Sequence, residues 1–320
     1  MINVSFLDPV QAGIQRVEER MVGQAEGMNP NLAAALQLLI ASGGKRIRVA
    51  VTLLMGGMFQ ADDLKLTTLA SAVELLHTAT LVHDDLIDGA LIRRGTPTLN
   101  ANWSPAATVL TGDYIFARAA KLAAEIGVIP IMTLFADTLA IIVNGEITQM
   151  FGRHQLIDRM TYEKRIYAKT ASLFESACRS AAILGSQEEG VWENARAYGY
   201  QIGMAFQIVD DILDFTGEQE TVGKPVASDL RQGLATLPVL LYNEKHPNQG
   251  LISSAINGEA AEAEIDQLVD LIRNDGVIED SMQIAHGYVE RGIEALAGFP
   301  DCLEKQSLES LARFIVERKN

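Results

Sequence analysis

Helical periodicity runs almost unbroken from one end of the chain to the other, and alternating, β-branched strand segments are nearly absent. A chain of this kind has to bury itself helix against helix, because it offers no sheet to pack on. Asp8-Pro9, Asn29-Pro30 and Ser104-Pro105 each put a capping residue before a proline at the first helical position, ahead of runs rich in Ala, Leu, Gln and Glu. The spacing predicts helices over about 8–24, 30–41, 45–59, 62–88, 105–126, 130–151, 161–184, 188–215, 234–244, 259–274, 276–298 and 301–317. Stretches such as LASAVELLHTATLV and MTLFADTLAIIV carry few charges on any side, as expected of helices surrounded by other helices. No linker rich in Pro, Gly or Ser divides the chain, so the expectation is one all-α domain over residues 1–320.

Charge narrows the partners. The chain has 26 basic and 41 acidic residues, a formal net charge of −15, which disfavours nucleic acid and anionic membrane surfaces. Any phosphate-bearing ligand would need locally clustered basic residues or bound cations. Cys178 and Cys302 are far apart and lack metal-site spacing. The start shows no basic segment followed by an apolar run, and no stretch reaches about 18 uninterrupted apolar residues. A cytoplasmic protein with reduced thiols and no transmembrane segment is expected.

Two copies of the pattern DDxxD stand out about 126 residues apart: Asp84, Asp85 and Asp88 after LVH, and Asp210, Asp211 and Asp214 after QIV. On a helix, residues i and i+4 differ by about 40° around the axis, so Asp84 and Asp88 share a face, as do Asp210 and Asp214. Gathering like charges beside apolar helices is costly without something positive to compensate. A divalent cation does this, and oxygen ligands with no His or Cys beside them favour magnesium, which completes its shell with water and phosphate oxygens. A single DDxxD could be a solvated helix end; two such copies point to a diphosphate held between metal-bearing helices.

Basic residues answer the acidic ones. Gly43-Gly44-Lys45-Arg46-Ile47-Arg48 sets a flexible diglycine before a helix, where free N–H groups favour an anion. Arg93-Arg94 follows the first acidic motif, Lys169-Thr170 interrupts a helical run, and Gly223-Lys224-Pro225 follows the second motif. His77 lies two helical turns before Asp84, about 10 Å along the same face. Each alone reads as a surface charge or a core histidine; their joint placement carries the weight. GxGxxG and Walker-type loops are absent, as are Ser/His/Asp and Cys/His nucleophile arrangements.

The blocks GGKRIR, LLHTATLVHDDLID, RRGTPT, LTGDYIFARA, NGEITQM, KTASLF, FQIVDDILDFTG and GKPVASDLRQGLATLP, across roughly residues 40–245, resemble the trans-isoprenyl diphosphate synthases, the polyprenyl synthetase family. The resemblance implies a single large orthogonal helical bundle with a central cavity. It implies magnesium-dependent head-to-tail condensation of isopentenyl diphosphate with an allylic diphosphate, by ionisation, condensation and proton loss. Lys45, Arg48, His77 and Arg94 would hold isopentenyl diphosphate; Arg93, Lys169, Thr170, Gln207 and Lys224 would hold the allylic diphosphate. Asp84, Asp88 and Asp210 would ligate magnesium, three ions per active site with Mn²⁺ as a possible substitute, supported by Asp85, Asp211 and Asp214. Asp84, Asp88, Asp210, Lys169 and Lys224 are the residues expected to drive catalysis. Two departures are Val49, where many members have proline, and Leu234, where some short-chain members carry a further lysine.

Product length should depend on what lies beneath Asp84. Thr80 is one turn below it and Leu76 two turns below, while Ala79 is about 140° away on an ideal wheel, so its role rests on the resemblance. In short-chain relatives a bulky aromatic stands at the fourth or fifth position before the motif; here those positions are Thr80 and Ala79. Met132, Phe135 or Leu139 could form a deeper floor. The expectation is a long product, C30 or more and octaprenyl- or solanesyl-like, of the kind that supplies quinone side chains. A homodimer, with transient membrane contact for product release, is implied as well. The alternatives are a geranylgeranyl- or farnesyl-length synthase, a terpene cyclase or squalene-synthase-like enzyme, and a non-catalytic regulatory subunit of a heteromeric synthase. Lys45, Arg48, His77 and the six intact aspartates favour an elongating enzyme.

Overall fold

A computed structural model describes residues 6–27, 29–41, 45–93, 95–217, 226–247 and 250–318. Two compact units make up the chain: Met1–Leu139 with Leu173–Gly199 and Ala295–Leu311, and Ala140–Ser172 with Tyr200–Glu294 and Ala312–Asn320.

The first unit is built on α4, Asp63–Ile87, which packs chiefly on α6, Pro105–Glu125, and also on α3, Ile47–Met58, and α1, Gln11–Val22. Asp62 starts α4 by accepting the Lys65 backbone N–H at 2.9 Å. Small and apolar residues on every side then let it be enclosed: Leu66, Leu69, Ala70, Ala72, Val73, Leu75, Leu76, Ala79 and Val82 are all buried. A side chain on Gly56 would run into Leu66, which is why α3 can lie so close to α4. Ser104 caps α6 as the Ser-Pro pair predicts, accepting from the Ala107 N–H at 3.3 Å. Asn29-Pro30 opens α2, Pro30–Ala41, whereas Asp8-Pro9 opens a single 3-10 turn, Asp8–Val10, ahead of α1. Between α4 and α6 the chain forms a short antiparallel hairpin, β1 (Ile92–Arg93) with β2 (Thr96–Pro97), and a four-residue helix, α5 (Leu99–Asn102). The hairpin is too short for a periodicity signal.

The predicted helix 161–184 is three pieces: α8, Arg159–Ile166; a π-helical turn, Tyr167–Ala171; and α9, Ser172–Gly185. The long α7, Ile129–Phe151, and α10, Glu189–Thr216, begin in the first unit's residues and end in those of the second. The second unit's core gathers Ile202, Ile208, Val209, Ile212 and Phe215 of α10 with Leu237, Val239 and Leu240 of α12 (Leu237–Lys245), Leu268 and Ile272 of α14 (Glu262–Asn274), and Ala285 and Val289 of α15 (Val277–Ala295). Two elements here were not anticipated, α11 (Ser228–Arg231) and α13 (Gly250–Asn257); both are too short to show a helical repeat. The last helix is α16, Leu303–Glu317.

Candidate active site

The first acidic motif occupies the end of α4. Unpaired carbonyls at a helix C-terminus carry partial negative charge, so carboxylates there add to an already negative end and call for a cation. Asp85 is buried, and its Oδ1 accepts a 2.7 Å hydrogen bond from Arg93 Nε. Arg93 returns to it after the chain turns at Gly89, whose φ of 63° favours glycine. Asp84 is half-buried and Asp88 exposed. The i, i+4 pair is thus the more exposed, and the acid between them is buried.

Three residues of GGKRIR divide the work. Arg48 Nη1 lies 3.2 Å from His77 Nε2, and its guanidinium stacks 4.8 Å from the centre of the Phe174 ring. The aromatic face orients the guanidinium plane. Lys45 is exposed just ahead of the helix. Arg46 is instead a buried anchor: it donates to the Ile40 carbonyl at 2.5 Å, Glu74 at 2.8 Å and Glu18 at 2.9 Å. Burial disfavours its charge, but the charges and hydrogen bonds of Glu74 and Glu18 outweigh burial and raise its pKa. These bonds hold Arg46 at φ 50°, a left-handed conformation uncommon outside glycine, and so set the entry to α3. Of the residues expected to set product length, Leu76, Ala79 and Phe135 are buried. Thr80 is half-buried, its hydroxyl donated to the His77 carbonyl at 2.7 Å, and Met132 and Leu139 are half-buried too.

The second acidic motif lies in the closing turns of α10. Asp211 is buried, accepting from Tyr162 Oη at 2.6 Å and from Gln207 Nε2 at 2.8 Å. Burial, and then the nearby charge of Asp229, push its carboxyl up to about 7. Thr170 Oγ1 donates to Gln207 Oε1 at 2.6 Å, so Thr170, Gln207, Asp211 and Tyr162 form one chain of hydrogen bonds. The break predicted at Lys169-Thr170 is the π turn, a feature frequent at functional sites, which leaves Lys169 exposed and Thr170 buried. Gly203 allows the close approach of α10, since a Cβ there would sit 2.5 Å from Ala171 Cα. Asp214 accepts the backbone N–H groups of Ser228 and Asp229, both at 3.1 Å, and is likewise raised to about 7 by burial and by Asp229. Asp210 is half-exposed and pairs at 2.7 Å with Arg318 Nη2. Arg94 and Lys224, with Gly43, Gly44 and Gly223, lie outside the described residues.

Among the described residues, no group of three or more His, Cys, Asp or Glu side chains forms a metal-holding cluster. The donors offered are carboxylate oxygens alone: Asp84 and Asp88 at one motif, Asp210 at the other. That set suits a hard cation that takes one or two carboxylates and fills its shell with water and phosphate oxygens, as magnesium does. Asp85, Asp211 and Asp214 accept hydrogen bonds from protein donors, as Asp210 does from Arg318.

Sequence reasoning missed Tyr162, Arg318 and the Arg46–Glu74 pair. Glu74, a lone acid inside the apolar run LASAVELL, was a readable sign of a buried partner. Tyr162 stands seven residues before Lys169, a faint signal, and nothing local marks Arg318.

All-helical architecture, with DDxxD at the ends of two apolar helices and an arginine–histidine pair beside the first, defines an enzyme of the isoprenoid-synthase class. The Polyprenyl synthetase family model matches residues 29–272. Heptaprenyl diphosphate synthase component 2 of Geobacillus stearothermophilus is 38% identical over 315 residues, 98% of this chain and 97% of that protein. Octaprenyl diphosphate synthase of Haemophilus influenzae is 33% identical over 309 residues, 95% and 94% of the two. The crystal structure of a Caulobacter crescentus polyprenyl synthase complexed with calcium and isoprenyl diphosphate superposes with a TM-score of 0.93 at 34% identity, covering 98% of this chain and 97% of that one. The chain belongs to the polyprenyl synthetase family and is a prenyltransferase with that family's all-α fold.

Proposed function

We propose that this enzyme condenses isopentenyl diphosphate onto an allylic diphosphate, with magnesium as its metal, and repeats the step to a long all-trans product of C30 or more. The observation that carries the reading is the pair of acidic motifs closing two helices: Asp85 and Asp211 are buried and held by Arg93 and Tyr162, while Asp88 is exposed and Asp84 and Asp210 are half-exposed at the same helix ends. Arg48 and His77, with Lys45 beside them, hold the diphosphate of the nucleophilic substrate. Arg93, Lys169 and Lys224 draw charge from the departing allylic diphosphate, the kind of electrostatic stabilisation that dominates such reactions. Bound magnesium supplies further positive charge against the leaving group. Apolar helix surfaces keep water from the allylic cation, the isopentenyl double bond attacks it, and the proton leaves to the released diphosphate. No side-chain nucleophile takes part.

Length follows from Ala79 and Thr80, where no aromatic stands before Asp84, and from the heptaprenyl and octaprenyl synthases to which the chain is similar. Incubating purified protein with magnesium, farnesyl diphosphate and labelled isopentenyl diphosphate, then sizing the dephosphorylated products, tests both claims. Products stopping at C20 would replace the long-chain reading with the short-chain one. A second reading is favoured by one relative's name, component 2: this chain works as one subunit of a two-part synthase. Activity appearing only with a second polypeptide would establish it.

Homodimerisation is proposed on the character of α7. It is long and apolar enough to cross a membrane by length and composition, yet it also carries Asp137 and Glu146, and only 22% of its most apolar window is buried within the chain. Ile129, Val143, Ile147, Met150 and Phe151 are exposed on it, a face that a second copy would cover. The cytoplasm is the proposed location, in keeping with two unpaired thiols, Cys178 buried and Cys302 half-buried.

A further inference from the structure

Asp210 differs from its companions in what holds it. Asp211 rests on neutral donors and Asp214 on backbone N–H groups, whereas Asp210 faces a full positive charge, with Arg318 Nη2 2.7 Å from its Oδ1. The same nitrogen donates to the Phe206 carbonyl at 2.7 Å, and the guanidinium lies 4.0 Å from the centre of the Phe206 ring. Phe206 is one turn before Asp210 on α10, so the arginine is laid along that helix toward the motif. Its side chain is 9% exposed, although it sits two residues from the end of the chain.

We propose that Arg318 is the resident counter-charge of the second acidic motif: it holds Asp210 while no divalent cation is bound and gives up that oxygen when one arrives. The inference rests on the metal-dependent reading of the motif and deepens it. The end of α10 collects Asp210, Asp211, Asp214 and Asp229 at the negative pole of a helix, so an empty motif needs a cation from the protein itself. Arginine suits the task, because it stays charged at all working pH values and stacks on an aromatic face. A metal ion on Asp210 would bring a second positive charge against the guanidinium, and unit charges about 4 Å apart repel appreciably even near a protein surface. Arg318 and the metal therefore compete for one carboxylate. In this scheme Arg318 is a positioning residue that acts through Asp210.

Competition gives a sign that a merely structural role cannot. Binding of Mn²⁺ alone, without diphosphate, is followed from the free-ion electron paramagnetic resonance signal in wild type, Arg318→Gln, Arg318→Lys and a form lacking residues 318–320. Removing the guanidinium, by Arg318→Gln or by the truncation, should tighten the second-motif site about fivefold, the scale of a partly exposed ion pair. Arg318→Lys should return most of the way to wild type, and the Arg318→Gln effect should vanish in an Asp210→Asn background. Thermal unfolding of each variant shows that it is folded, and if Arg318→Gln does not fold the truncated form decides. Equal or weaker Mn²⁺ binding on removal of the charge, tightening that persists without Asp210, or no binding by any form overturns the assignment. Prenyl transfer by the wild type is measured separately, so an inactive wild type counts against the proposed function, and unchanged affinities in an active enzyme count against Arg318 alone.

Discussion

Removing the charge of Glu74 tests whether the diphosphate-binding end of α3 is held from beneath. Arg46 is 9% exposed and Glu74 6%, with 2.8 Å between Nη1 and Oε1. Glu74→Ala leaves the guanidinium with the Ile40 carbonyl and with Glu18, whose side chain is 43% exposed. Breaking a buried ion pair on one side costs about 3–5 kcal/mol, while a half-exposed partner such as Glu18 returns at most about 1 kcal/mol. The left-handed backbone at Arg46 also stores about 1–2 kcal/mol that these bonds hold in place. A loss of about 3 kcal/mol is expected, a large share of the roughly 5–15 kcal/mol that stabilises an ordinary domain. Urea unfolding at constant slope measures it. Loosening of the Arg46 turn should also raise the KM for isopentenyl diphosphate, through Lys45 and Arg48, more than the KM for the allylic substrate. Replacing both partners, Arg46→Met with Glu74→Leu, should restore much of the stability without restoring that KM. A loss below about 1 kcal/mol for Glu74→Ala, or equal changes in both KM values, would refute the reasoning.

Further outcomes follow from the same geometry. Ala79→Tyr puts a ring at a fully buried position on α4, so the product should shorten, at a packing cost of about 1–3 kcal/mol; unchanged chain length on product sizing would remove Ala79 from the tunnel. Tyr162→Phe leaves buried Asp211 short of a donor, which should cost about 1–3 kcal/mol in denaturation and lower kcat, and wild-type behaviour in both assays would show the bond idle. In metal-free protein Asp211 and Asp214 sit at about 7 against an ordinary 3.8. Between those values the folded state binds more protons than the unfolded state, so stability contributed by these groups falls as pH rises from about 4 to about 7 and levels off above. Unfolding in a chelator across that range should show the fall, and Asp211→Asn should flatten it; an unaltered slope would mean that Asp211 ionises normally.

Much of this protein was legible before folding was considered. Helix positions, the all-α class and the i, i+4 arrangement of each acidic motif depend on neighbours within a turn or two, and the short-range repeat records them directly. The family's motifs gave Arg48 and His77 one shared ligand, but their meeting across 29 residues was not legible in the sequence. Tertiary structure alone decided which carboxylates are spoken for. Asp211 is met by Tyr162 from 49 residues away and Asp210 by Arg318 from the far end of the chain, while Asp214 caps α11 and Asp85 receives Arg93. Six aspartates in two identical patterns are chemically alike as text. What separates them is burial and the donor brought to each oxygen, which are long-range quantities fixed only once the helices have packed.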